Sequence, residues 1–167
     1  RAIADYRRNE LDTAVPKIDA LIAEYPSDPY FQELKGQMLL EHGQIIPAVE
    51  ALRKAASLAP TAIPIRAMLA QGLVETGDPA LLTEAVDNLK LLIVDDPNSG
   101  AAWRLLAISY ARLGEDGASR LASAELALLQ RDTPAAKLHA NAALKFFNKG
   151  TPSWLRAQDI LNAADLK

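Results

Sequence analysis

The stretch from Trp103 to Gly114, W-R-L-L-A-I-S-Y-A-R-L-G, decides how this chain is read. Trp103, Leu106, Ala107 and Tyr110 recur at helical spacing, and Ala107 stands seven residues before Gly114. The same seven-residue step separates Ala70 from Gly77 and Gly36 from Gly43. A small residue inside a helix lets a neighbouring helix approach closely, and a glycine beyond the last turn takes the left-handed conformation that ends it. One helix-and-stop pattern occurring three times is an internal repeat.

The segments between these copies carry a second pattern. Ala14, Ile18, Leu21 and Pro26 match Ala48, Leu52, Ala55 and Pro60 at an offset of 34, and Ala85, Leu89, Leu92 and Pro97 repeat it at an offset of 37. The three extra residues fall within G-D-P-A-L-L-T-E, between Gly77 and Ala85, where they lengthen a turn or the start of a helix. Two alternating helix patterns with a period of 34 are the signature of the tetratricopeptide repeat. The expected fold is all-α, a right-handed superhelix of about ten antiparallel helices forming a single array over 1–167 and closed by a C-terminal capping helix. Gly36, Ala48, Ala70, Trp103, Ala107 and Tyr110 are its expected packing residues.

Helix starts are marked by a capping side chain followed by Pro, which needs no donor at the first helical position. Asp28-Pro29, Asp78-Pro79, Thr133-Pro134 and Thr151-Pro152 read this way, and Gly43, Gly77 and Gly114 mark stops. The predicted helices are 1–8, 10–25, 29–42, 44–59, 62–76, 79–95, 100–113, 116–130, 134–148 and 152–165. Pro16 should kink the second of these or delay its start. Phe31 and Leu34 sit one place early relative to Trp103 and Leu106, which predicts a rotated or bulged helix there. Segment 116–130 is read twice: Ala124 and Arg131 keep the seven-residue step of a first helix, while Ala136, Ala140 and Ala143 restore the second-helix pattern after it. With eight Ala and Leu residues and little polar face, it should be covered on more than one side. In the last segment, Trp154, Leu155, Ile160 or Leu161 and Ala164 should face the stack, with Arg156, Asp159 and Asp165 toward water.

Half of the 167 residues are apolar and few are aromatic, so the chain has material for a core built from helices. A net charge of -3, with no run of Lys or Arg longer than two, argues against nucleic-acid binding. No apolar run approaches the roughly 20 residues of a membrane span, so no membrane insertion is expected. Without Cys there is no thiolate metal site, and compartment is not legible from redox chemistry. The chain begins mid-pattern at Arg1 without an initiator Met, which predicts a fragment with its targeting signal upstream and a truncated first helix.

Catalytic chemistry leaves no trace. His42 and His139 lack the Glu or second His at the spacing of a zinc helix and read as exposed helix residues. Asp95-Asp96 and Glu115-Asp116 lie at repeat turns, where carboxylates complement helix starts. The glycines are scattered at helix ends and form no phosphate cradle. Trp103 and Tyr110 admit a reading as a stacking platform, but their offsets are those of core packing residues. What remains is a surface. Stacked helix pairs form a concave side lined by first helices, and Tyr6, Glu33, Gln37, Glu41, Gln71, Glu75, Arg104, Ile108 and Arg112 are expected to line it, acidic early and basic late. Any one of these also reads as merely solvated. Glu, Gln, Ala and Ile at the groove positions disfavour a carboxylate clamp, which needs Lys and Asn there. The expected partner is a protein or an unfolded polypeptide segment.

Three phrases go further: I-D-A-L-I-A-E-Y-P-S-D-P-Y-F-Q-E-L-K-G-Q (Ile18 to Gln37), A-W-R-L-L-A-I-S-Y-A-R-L-G-E-D-G (Ala102 to Gly117) and T-P-S-W-L-R-A-Q-D-I (Thr151 to Ile160). With them the chain resembles the C-terminal tetratricopeptide region of bacterial periplasmic zinc metalloproteases of the CaaX-protease-like class, the group containing the beta-barrel-assembly-enhancing protease. The resemblance implies a parent zinc metalloendopeptidase whose protease domain carries H-E-x-x-H and acts on outer-membrane proteins in the cell envelope. None of those catalytic residues stands in this sequence, so no cofactor is expected here. The implied role is substrate recognition or regulation in the periplasm, with the protease domain itself as a further partner; a free-standing adaptor is the alternative.

Overall fold

A computed structural model describes the backbone of residues 2–165 and the side chains of residues 11–165. Among the described residues there are nine α-helices and no strand: α1 (Ala2–Glu24), α2 (Pro29–Glu41), α3 (Ile45–Leu58), α4 (Ile63–Thr76), α5 (Pro79–Asp95), α6 (Gly100–Arg112), α7 (Asp116–Leu129), α8 (Thr133–Ala143) and α9 (Pro152–Asp165). They divide into two compact units, Arg1–Thr76 and Gly77–Lys167.

The expected ten helices become nine because 1–8 and 10–25 are one helix. Neither Gly nor Pro lies between Arg8 and Leu11, so nothing in the sequence ends a helix there. Pro16 sits inside α1 without dividing it and is exposed, so the carbonyl that loses its partner lies on the wet side. At the other ends the caps act as read, with two exceptions. Asp28 and Asp78 each accept from the second residue beyond, at 2.9 Å, and Ser99 caps α6. Asp132, rather than Thr133, caps α8 by accepting from the Ala135 amide at 3.0 Å. The Thr151 hydroxyl turns back to donate to the Asn148 carbonyl at 2.8 Å.

All the predicted glycine stops have positive φ: Gly43 at 73°, Gly77 at 69° and Gly114 at 76°. The fourth position of that series is Arg131, also left-handed at φ 59°. Arginine takes there a conformation that costs an L-residue about 1–2 kcal/mol, so the doubled reading of α7 holds at the backbone. It holds in packing too. α7 lies against α6, α8 and α9, and from Gly117 to Leu129 only Arg120 is exposed.

In the first unit the second-helix pattern forms the core: Ala48, Leu52 and Ala55 are fully buried, and Ile18 nearly so. Gly36 lies against this helix so closely that a Cβ there would overlap Leu52 Cγ and approach Leu52 Cδ2 to 2.7 Å. α2 is rotated as the early Phe31 and Leu34 predict. Leu34 is exposed, Phe31 packs obliquely on Tyr25 at 5.9 Å, and Leu39 enters the core with Leu11 and Ala48. In the second unit Ala85, Leu89 and Leu92 are buried in the same pattern.

α8 ends at Ala143, short of the predicted 148. The chain tightens through a Phe146 amide to Ala143 carbonyl bond at 3.0 Å and crosses Gly117, where a Cβ would lie 2.6 Å from Phe146 Cβ. In α9, Ala157, Ile160 and Ala164 are buried as its capping role requires. Leu155, expected inside, is half exposed, and Arg156, expected in water, turns inward to Glu125 of α7. The helical repeat of α7 presents Glu125 next to a nearly closed alanine surface, and the guanidinium is the group that satisfies it.

Candidate functional site

In the first unit, the first-helix residues not used in packing form a repeated polar surface. On α2 the Gln37 amide donates to Glu41 at 2.9 Å, and on α4 Gln71 donates to Glu75 at 2.9 Å. These are the same pair one repeat apart, four residues along a helix, where side chains meet. All four are exposed; Glu33 is partly buried. The sequence placed these groups on one face but had no signal for the amides being committed to the carboxylates. Tyr6 lies outside the residues whose side chains are described.

In the second unit, Arg104 and Arg112 are exposed on α6 and Ile108 between them is partly buried. Arg112 lies in the last helical turn, where a cation complements the carbonyl end of the helix. The three are brought to one side of α6, since positions four apart share a face.

The opposite side of α6 departs from expectation. Trp103, Ala107 and Tyr110, predicted as packing residues, are only partly buried; Ala102, Leu106 and Ser109 are the ones enclosed. Trp103 and Tyr110 instead line a cleft of about 130 Å³. Lys90 and Ile93 of α5, Leu106 of α6 and Ala118, Leu121 and Ala122 of α7 line it with them. Phe147, carried there by the turn over Gly117, and Ser153 complete the lining. The Trp103 indole N–H is already used, donating to the Pro97 carbonyl at 2.8 Å. Burial pushes the Tyr110 phenol above its ordinary range, while the nearby Lys90 ammonium opposes that shift.

Ala48 and Ala70 are fully buried, as expected of packing positions. His42 is partly buried rather than exposed, and its Nδ1 hydrogen-bonds with the Met38 carbonyl of its own helix, 2.7 Å away. Asp95 and Asp116 are exposed at the end of α5 and the start of α7, and Asp96 and Glu115 are exposed beside them. Among the described residues no three His, Asp or Glu side chains stand together in a way that could hold a metal ion, and no helix is long and apolar enough to cross a membrane. The group that sequence reasoning missed is Glu125. Its only signal is a carboxylate in a helix otherwise almost devoid of polar face.

No family model matches the sequence, and no curated protein matches it. Solved structures do. The chain is similar to the MamA RS-1 ArsTM double mutant, with a TM-score of 0.68 and 16% identity, over 100% of this chain and 95% of that one. It is similar to MamA 41-end from Desulfovibrio magneticus RS-1 at TM-score 0.64 and 13% identity, covering 98% and 96%. TTC0263, a thermophilic TPR protein of Thermus thermophilus, is similar at TM-score 0.51 and 22% identity, covering 96% and 95%. The fold is therefore that of the tetratricopeptide-repeat proteins.

Proposed function

We propose that this chain is a noncatalytic protein-binding module. The observation that carries the reading is the recurrence of an exposed, mutually bonded Gln–Glu pair at equivalent positions of α2 and α4. Side chains held in register on successive repeats offer an extended segment a periodic set of partners, which is how repeat arrays recognise polypeptides.

Within that reading, the partner is an unfolded polypeptide or the protease domain of a parent periplasmic zinc metalloendopeptidase, with the chain recruiting substrate or regulating the enzyme. The three phrases over Ile18 to Gln37, Ala102 to Gly117 and Thr151 to Ile160 support this. The second reading is a free-standing adaptor; the likeness to the MamA and TTC0263 structures is a likeness of fold and fits either reading.

Arg104 and Arg112 favour carboxylates, to which Arg can bind bidentately, whereas Glu41 and Glu75 repel them. The test measures binding of an unfolded outer-membrane protein, and of the purified protease domain, to the chain and to its Arg104→Glu/Arg112→Glu variant at low salt. Weakened binding in the variant is the expected result. Affinity unchanged by the double reversal places the contact elsewhere, and zinc-dependent cleavage by the chain alone overturns the noncatalytic reading.

A further inference from the structure

We propose that the cleft between α5, α6 and α7 is a second binding site, taking one bulky apolar side chain of an extended polypeptide whose next residue carries a carboxylate. The proposal rests on the reading of the chain as a protein-binding module and adds a site to it.

Size selects the class of occupant. Pockets for small molecules and cofactors span about 300–1,000 Å³, whereas this cleft has about 130 Å³. At about 30 Å³ per water in the liquid, it holds a few waters or the side chain of a Phe or Leu. Its lining is chemically suited to such an anchor, with Trp103, Ile93, Leu106, Leu121 and Phe147 around it. An apolar side chain entering there displaces water from the apolar lining, the change that drives such burial.

Charge selects the neighbouring residue. Lys90 is the only formally charged group among the lining residues, and it is exposed. The Tyr110 phenol beside it stays protonated through the physiological range and has a hydroxyl to offer a carboxylate. Glu115 and Asp87 bear on Tyr110 from outside the lining and disfavour a carboxylate on their side. The acidic residue of the partner is therefore held at Lys90. This site is on the side of α6 away from Arg104, Ile108 and Arg112, so the two faces are separable by substitution.

The test uses the 167-residue chain and follows the Trp103 indole resonance by NMR, assigned with a Trp154→Phe variant. The probes are acetyl-Gly-Phe-Asp-Gly-amide and its counterparts with Asn for Asp and Ala for Phe. The Phe-Asp peptide is expected to move the Trp103 signal and the Ala-Asp peptide to leave it in place. Lys90→Met, a surface change that leaves the core intact, should weaken the Phe-Asp peptide about two- to fivefold, the factor an exposed ion pair supplies, and remove its preference over Phe-Asn. Ala118→Phe, which fills the cleft from α7, should abolish the shift. A Trp103 signal unmoved by millimolar Phe-Asp peptide, equal affinities of the wild type for Asp and Asn peptides, or binding that survives Ala118→Phe overturns the proposal. Unfolded polypeptide that binds Ala118→Phe as tightly as the wild type removes this site and leaves the module reading standing; a wild type that binds no polypeptide at all removes both.

Discussion

The two flanks of α7 are built from different side chains. Toward α8 and α9 the contact is made by Ala124 and Ala127 against Ala136, Ala140 and Ile160, all buried, with Leu121, Leu128, Ala135 and Leu161 around them. Toward α6 the contact includes Trp103 and Tyr110, and it leaves a cleft. Alanine puts little between two helix backbones, so they approach until the seam closes. Trp103 and Tyr110 fill more volume, yet both are only partly buried and a cleft remains beside them. Glu125 strengthens the contrast, since its two oxygens accept from Arg156 of α9 at 2.5 and 2.7 Å on the closed flank. A helix that serves two repeats is thus sealed on one side and available on the other.

The largest effect should come from forcing the closed seam apart. Ala140→Leu adds three carbons where Ala140 has no exposed surface, and overpacking of this kind costs about 1–3 kcal/mol. A urea melt with an unchanged midpoint would mean the seam has slack, and the contrast between the flanks would be lost. Next in size is Arg156→Met, which strands a carboxylate that is 7% exposed. Loss of one partner of a fully buried pair costs about 3–5 kcal/mol, but the Arg156 side chain is 50% exposed and water can enter when it is removed. About 2 kcal/mol is expected, with Glu125→Leu/Arg156→Met recovering most of it, because an apolar pair of similar volume no longer leaves a charge unpaired. A double variant as unstable as the single one would show that packing, not the charge, was lost. On the open flank Trp103→Ala should cost only about 1–2 kcal/mol, against the roughly 3–5 kcal/mol of an enclosed aromatic. A loss at the upper figure would show that the ring is a structural wedge throughout its surface.

How legible these differences were depended on the kind of signal that carried them. Seven-residue steps and 34-residue offsets report backbone requirements, so the glycine turns, most helix positions and the double role of α7 were legible, whereas the unbroken α1 and the early end of α8 were not. The left-handed Arg131 belongs to that class even though its side chain disguises it. Burial of Trp103 and Tyr110 was inferred from the same offsets and followed only in part, since periodicity says which side of a helix faces a neighbour and not whether the neighbour closes on it. Closure depends on distant residues: Phe147 reaches the cleft because Gly117, 30 residues earlier, has no side chain in the way. The Glu125–Arg156 pair spans 31 residues and is likewise a long-range choice. Arg156 has its proton held more tightly than usual by the hydrogen bonds to Glu125, an effect invisible without their juxtaposition.

Two smaller effects refine the comparison at the ends of the closed flank. Arg131→Gly should stabilise the α7 to α8 turn by about 0.5–1 kcal/mol, the relief of a left-handed L-residue less the entropy that glycine loses on folding. A destabilised variant would show that the Arg131 side chain makes a contact worth more than its backbone strain.

The smallest effect concerns His139 on α8. Its Nδ1 is buried without a hydrogen-bond partner, and burial, then the Arg120 guanidinium, lowers its pKa below the ordinary 6.5, with Asp132 opposing. Because the folded value is lowered, the unfolded chain binds the proton more readily as pH falls. The contribution of the neutral imidazole is therefore complete above about pH 6.5 and is lost as pH falls through the lowered folded value. His139→Gln removes that titration. Chemical denaturation of the two proteins at about pH 8 and about pH 5 should show the wild type losing more stability on acidification than the variant, the difference developing below about pH 6.5. Equal losses would mean that the imidazole is solvated in both states, and that the closed flank opens to water at this position.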